Sequence, residues 1–115
     1  MLLVAWLAVP AASWLVRPSA GRLITEGAEL SRQSRWPEAI SVLDRAAAAA
    51  PRNAEAHFLK GVVLERLRRP AEAADELEAA VLLDASRADA YFLLARLYEK
   101  AGVPRGLDLA ARWTA

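Results

Sequence analysis

The sequence predicts an all-α fold built as an array of repeated helix pairs, and three observations carry that reading. Residues of matching size recur 34 positions apart: Gly27, Gly61 and Ala95; Leu30, Leu64 and Tyr98; Ala39, Ala73 and Leu107; Leu43, Leu77 and Ala111. A fixed period of this length marks stacked helical units rather than a single-core fold. From residue 20 onward, apolar side chains recur at three- and four-residue spacing, without the alternation a strand requires. Pro37, Pro70 and Pro104 sit where the second helix of each pair begins, a position that suits a fixed φ and a missing N–H.

The first segment stands apart. Residues 1–16 (MLLVAWLAVPAASWLV) carry no charge, whereas the rest of the chain holds all 15 basic and 14 acidic side chains. As an apolar N-terminal helix it would run roughly 24 Å, a little short of a hydrocarbon core of about 30 Å, and Arg17 could snorkel to add reach. Leu2, Leu3, Trp6, Leu7, Trp14 and Leu15 are its lipid-facing candidates, and Pro10 predicts a kink that a neighbouring membrane helix would tolerate. The expectation is a single-pass anchor over residues 1–19 with membrane lipid as its partner. Arg17 and Arg22 follow the run while nothing basic precedes it, which places the repeats on the cytoplasmic side, and residues upstream would reverse that to the periplasmic side. Two other readings stay open. A cleaved secretory signal lacks its basic start here, and Pro18-Ser19-Ala20 fits a small-x-small site poorly. A buried helix would need a partner to enclose it, because the remaining helices are small and amphipathic.

Six helices are then predicted, over residues 21–33, 38–50, 54–68, 71–83, 88–101 and 105–114. The breakers are Ser34-Arg35-Trp36-Pro37, Pro51-Arg52-Asn53, Arg69-Pro70, Asp84-Ala85-Ser86-Arg87 and Gly102-Val103-Pro104.

Composition narrows the function. A net charge of +1 gives no field to attract nucleic acid, so none is expected as a partner. The absence of cysteine removes disulfides, thiolate metal sites and a cysteine nucleophile. His57 is the one histidine and has no metal-ligand spacing or serine and aspartate partners, so it reads as a packing residue. Glu72, Asp75, Glu76 and Glu78 spread around the start of a helix, where they complement its dipole as a solvated face rather than an acid/base pair. Arg66, Arg68 and Arg69 suit a helix C-terminus, with an acidic partner or anionic lipid as the functional alternative. Neither enzymatic activity nor a cofactor nor a metal is expected.

The repeats resemble the tetratricopeptide family. The likeness rests on Leu23, Gly27, Leu30, Ala39, Leu43, Ala46 and Pro51 in the first repeat (20–53). In the second (54–87) it rests on His57, Gly61, Leu64, Ala73, Leu77 and Ala80, and in the third (88–115) on Tyr91, Leu94, Ala95, Tyr98, Leu107 and Ala111. Glu26 and Lys60 depart from the family's leucine, Ala85 from its inter-repeat proline and Leu107 from its small residue. The resemblance implies a right-handed superhelix of about three tetratricopeptide-type helix pairs, the third lacking the polar helix that usually caps such arrays. That uncapped C-terminal end invites association.

The resemblance also implies that the first helix of each pair lines a concave groove. Ile24, Phe58, Leu59, Val62, Phe92, Leu93 and Arg96 are the partner-binding candidates on it. The stripe is apolar, and Ile24, Ala28, Leu59, Asp89 and Leu93 stand where a carboxylate clamp would need lysine and asparagine. A groove of this kind suits an apolar helix or peptide of a protein partner, or this chain's own N-terminal segment; alternatively these residues are inter-helix core. The expected function is a membrane-anchored protein-interaction scaffold or adaptor at a bacterial-type membrane. A permanent accessory subunit of a multi-subunit membrane complex and an exported soluble assembly chaperone are the alternatives.

Overall fold

A computed structural model describes residues 18–100 of the chain, and within them it is all-helical. The five helices are α1 (Ala20–Arg32), α2 (Trp36–Ala49), α3 (Ala54–Arg66), α4 (Pro70–Leu83) and α5 (Ala88–Lys100). The bounds of α3 and α5 follow those of α1 at steps of 34 residues, and α4 follows α2 at the same step. The N-terminal segment with Leu2, Leu3, Trp6, Leu7, Trp14 and Leu15, and the expected second helix of the third pair, lie outside the described residues. Among the described residues no helix is long and apolar enough to cross a membrane.

The period extends to the caps. Ser19 and Asn53, 34 apart, each accept a backbone N–H three residues on, from Arg22 at 3.2 Å and Ala56 at 3.1 Å, and so satisfy a free donor at the start of α1 and α3. At the other end Ser34 and Arg68 take positive φ angles of 57° and 61°. The next residues, Arg35 and Arg69, donate back to the carbonyls of Leu30 and Leu64, both at 2.9 Å, closing the same six-residue loop over the helix end. Arg68 was expected to continue α3; it stops the helix instead, because its left-handed backbone reverses the chain. Trp36, expected in the breaker, opens α2, and Pro37 and Pro70 fall in the first turns of α2 and α4, where no intrahelical donor is lost.

Packing follows the small residues. An added Cβ on Gly27 would stand 2.5 Å from Leu43 Cδ2, and one on Gly61 would stand 2.7 Å from Leu77 Cγ. Only glycine lets these helix pairs approach so closely, and Leu43 and Leu77 are thereby sealed at 0% and 1% exposure. Ala39 and Ala73 are fully buried on the facing helices. The core runs from pair to pair: Leu23, Val42, Ala46 and Ala56 join the first pair to α3, Ala39 and Leu43 meet Val63, and Leu64, Ala74, Leu77 and Val81 meet Tyr91, Leu94, Leu97 and Tyr98 of α5. The first helices α1 and α3 also touch each other directly. Ala95 is exposed, in contrast to Gly27 and Gly61; its counterpart, Ala111, is outside the described residues.

Candidate functional site

Ile24, Phe58 and Phe92 occupy the same turn of α1, α3 and α5, and Ala28, Val62 and Arg96 the next. Exposure rises along the first series. Ile24 is half-buried against the Leu23, Val42, Ala46 and Ala56 cluster, and Phe58 is half-buried against the α4–α5 core, but Phe92 is 62% exposed. Val62 is half-buried. Leu59 and Leu93 sit one residue further round: Leu59 packs on Ala39, Leu43 and Val63, and Leu93 on the α4–α5 core, so both give part of their surface to inter-helix packing. Arg96 stands with its guanidinium 5.9 Å from the Phe92 ring and 3.8 Å from the Glu65 carboxylate.

Phe58 is covered by a residue that its own apolarity does not announce. The Arg87 guanidinium lies 4.4 Å from the Phe58 ring centroid, and it donates to Glu55 at 2.5 Å and to Asp89 at 3.0 Å. This latch ties the start of α3 to the start of α5. Asp89 also accepts the Ala90 N–H at 2.8 Å. The hydrogen bond from Arg87, opposed by a little burial and helped by that N–H, holds the Asp89 carboxyl below its ordinary value.

A second polar cluster joins α2, α3 and α4. Lys60 Nζ lies 3.0 Å from both Asp44 and Glu76, and His57 Nδ1 lies 2.7 Å from the other Glu76 oxygen. His57 Nε2 reaches the Pro51 carbonyl at 2.8 Å. Both ring nitrogens thus face oxygens, one a carboxylate oxygen on α4 and the other the carbonyl before α3. Burial pushes the Glu76 carboxyl up, but the bonds and charges of His57 and Lys60 outweigh it and hold it below its usual range. Burial likewise lowers Lys60, and its two carboxylate partners more than compensate, raising it. The solvated-face reading of the α4 carboxylates therefore fits Glu72, paired with Arg69, and the exposed Asp75. It fails for Glu76 and for Glu78, whose carboxylate accepts the Tyr98 hydroxyl across to α5. The sequence held a signal for the Lys60–Glu76 pair: the two are 16 apart, as are Gly27 and Leu43, and Gly61 and Leu77.

Leu82 and Leu83, 60% and 41% exposed at the end of α4, form a second apolar patch that the repeat pattern does not single out. Among the described residues there is no group of side chains able to hold a metal ion, and no buried side-chain polar atom lacks a hydrogen-bond partner. What this surface offers is apolar contact flanked by arginine, which is the chemistry of protein recognition.

Comparison with curated proteins gives no match. The tetratricopeptide repeat model matches residues 24–86, a span that takes in most of α1, the whole of α2, α3 and α4, and the glycine contacts and reversals that repeat at 34 residues. On that match and that geometry, the chain belongs to the tetratricopeptide repeat family, whose repeats generally mediate protein–protein interaction.

Proposed function

We propose that this chain is a membrane-anchored adaptor that holds a segment of a protein partner along the first-helix face of its repeats. The observation that carries the reading is Phe92: a large aromatic ring, 62% exposed, at the end of the equivalent series Ile24–Phe58–Phe92 and beside Arg96. Aromatic and arginine side chains of this kind are the residues that anchor interfaces. Membrane attachment rests on the uncharged residues 1–16, and the cytoplasmic placement of the repeats rests on Arg17 and Arg22 beyond them. The apolar partner helix or peptide would lie on Ile24, Phe58, Val62 and Phe92, with the partly packed Leu59 and Leu93 at its edge. A permanent place in a membrane complex is the second reading, favoured by the further exposed patch of Leu82 and Leu83.

The test is affinity purification of the full chain from detergent-solubilised native membranes with identification by mass spectrometry. Phe92→Glu with Val62→Glu should keep helicity and lose the captured proteins. Undiminished capture would move the binding surface elsewhere. Recovery of the intact chain in the soluble fraction after a carbonate wash would remove the anchor. Stoichiometric co-purification would select the subunit over the transient adaptor.

A further inference from the structure

The two repeats differ at one position in a way that leaves a space. Trp36 opens α2, is half-buried, packs on the Ala39, Leu43 and Val63 cluster beside Leu59, and has the Arg66 guanidinium 5.8 Å from its ring. The residue 34 positions on is Pro70, which opens α4. The equivalents of Leu59, Val63 and Arg66 are Leu93, Leu97 and Lys100, and with Pro70 they line an open cleft of about 340 Å³ between α4 and α5. The ring that the first repeat supplies to this place from its own chain is missing in the second.

The rim of the cleft has a sign. Besides Lys100 it carries Arg68, Arg96 and Glu65. Arg96 has Glu65 at 3.8 Å, whereas Arg68 and Lys100 have no ion-pair partner among the described residues. Arg68 is held there by its reversed backbone, at φ 61°. An apolar floor equivalent to the Trp36 site, under two cations that have no ion-pair partner among the described residues, complements an aromatic side chain flanked by carboxylates. The chain's own residues 101–115 do not complement it, since Arg105 and Arg112 against Asp108 leave them net basic. We infer that the Pro70–Leu93–Leu97 cleft is the anchor pocket for an aromatic residue in an acidic peptide segment of the partner. This rests on the scaffold reading and specifies its ligand.

The probe is an acetylated, amidated peptide Asp-Glu-Trp-Glu-Asp with a ring-fluorinated tryptophan, titrated by fluorine NMR into the full chain in detergent. The fluorine signal should shift and broaden, and the Leu93 and Leu97 methyl resonances should move with it. Arg68→Glu with Lys100→Glu should weaken binding tenfold or more. Pro70→Trp with Ala71→Pro, which copies the Trp36-Pro37 pair into the second repeat, should abolish it. If that second variant loses helicity, the charge-reversal pair decides alone. Methyl groups that stay unmoved, or charge-reversed protein that binds as well as the parent, would overturn the inference. So would binding that survives in a folded Pro70→Trp variant, or strong contacts between the Leu93 methyls and the Trp113 ring in the free chain. A chain that captures its native partners through Phe92 but leaves the probe unshifted would overturn the cleft and spare the scaffold.

Discussion

Gly61 and Leu77 touch so closely that a Cβ on the glycine would meet Leu77 at 2.7 Å and the Ala73 carbonyl oxygen at 3.2 Å. The leucine is one of the largest fully buried side chains and the carbonyl belongs to helix α4, so neither has room to withdraw. Gly61→Ala should therefore cost about 1–3 kcal/mol through overpacking, beyond the roughly 1 kcal/mol that alanine gains in helix propensity. Gly21→Ala is the control, because nothing stands within 4 Å of its added Cβ. It should be neutral or stabilising in a thermal melt. Melts shifted alike by the two substitutions would contradict the contact.

Ser34 bears a left-handed backbone, at φ 57°, that a Cβ disfavours. Ser34→Gly should raise stability by up to about 1 kcal/mol, the strain relieved less the extra freedom of an unfolded glycine. Gln33→Gly, one residue earlier at φ −82°, should lower it. A Ser34→Gly protein that melts below the parent by as much as Gln33→Gly would refute the strain.

Glu76 links α4 to α3 through Lys60 and His57, and its folded pKa lies below its ordinary value. A lowered carboxyl contributes stability that is complete above the ordinary glutamate value of about 4.3 and is lost as the pH falls through the lowered one. Glu76→Gln should remove that acid limb and cost about 1–3 kcal/mol at neutral pH, since Lys60 then keeps Asp44 as its one carboxylate partner. Denaturant melts between pH 3 and pH 7 measure both effects. A variant whose stability falls with acid as steeply as the parent's would rule the link out.

Arg87 ties α5 to α3 through Phe58, Glu55 and Asp89. Arg87→Ala should cost about 1–2 kcal/mol and act locally, speeding amide exchange in α5 while α1 and α2 keep their protection. Arg87→Lys should recover only part, because an ammonium lacks the flat fork that stacks and pairs at once. Exchange that rises evenly across all five helices would mean that Arg87 does not hold α5 in particular.

Much of the fold was legible because its causes are local and repeated. The 34-residue spacing of glycines, alanines and leucines marks where helices touch, Ser19 and Asn53 mark where they begin, and three- and four-residue apolar spacing marks which face is buried. Helix ends were less legible. The reversal at Arg68 uses a residue with no preference for a left-handed backbone, so nothing in its side chain signals that α3 stops at Arg66. The site was legible in part. Phe92 reads as apolar and stands exposed, but Leu59 and Leu93, equally apolar, are shared with the inter-helix core, and only the angle of each helix against the next divides one group from the other. The chain by itself determined the helical repeat, its period and its close contacts, since these depend on side-chain size at fixed spacing. Tertiary structure alone decided that Glu76 stands half-buried between Lys60 and His57, that Arg87 covers Phe58, and that Pro70 leaves open the space Trp36 occupies. Each of those depends on which side chains from separate helices meet, and a sum of local preferences does not contain that.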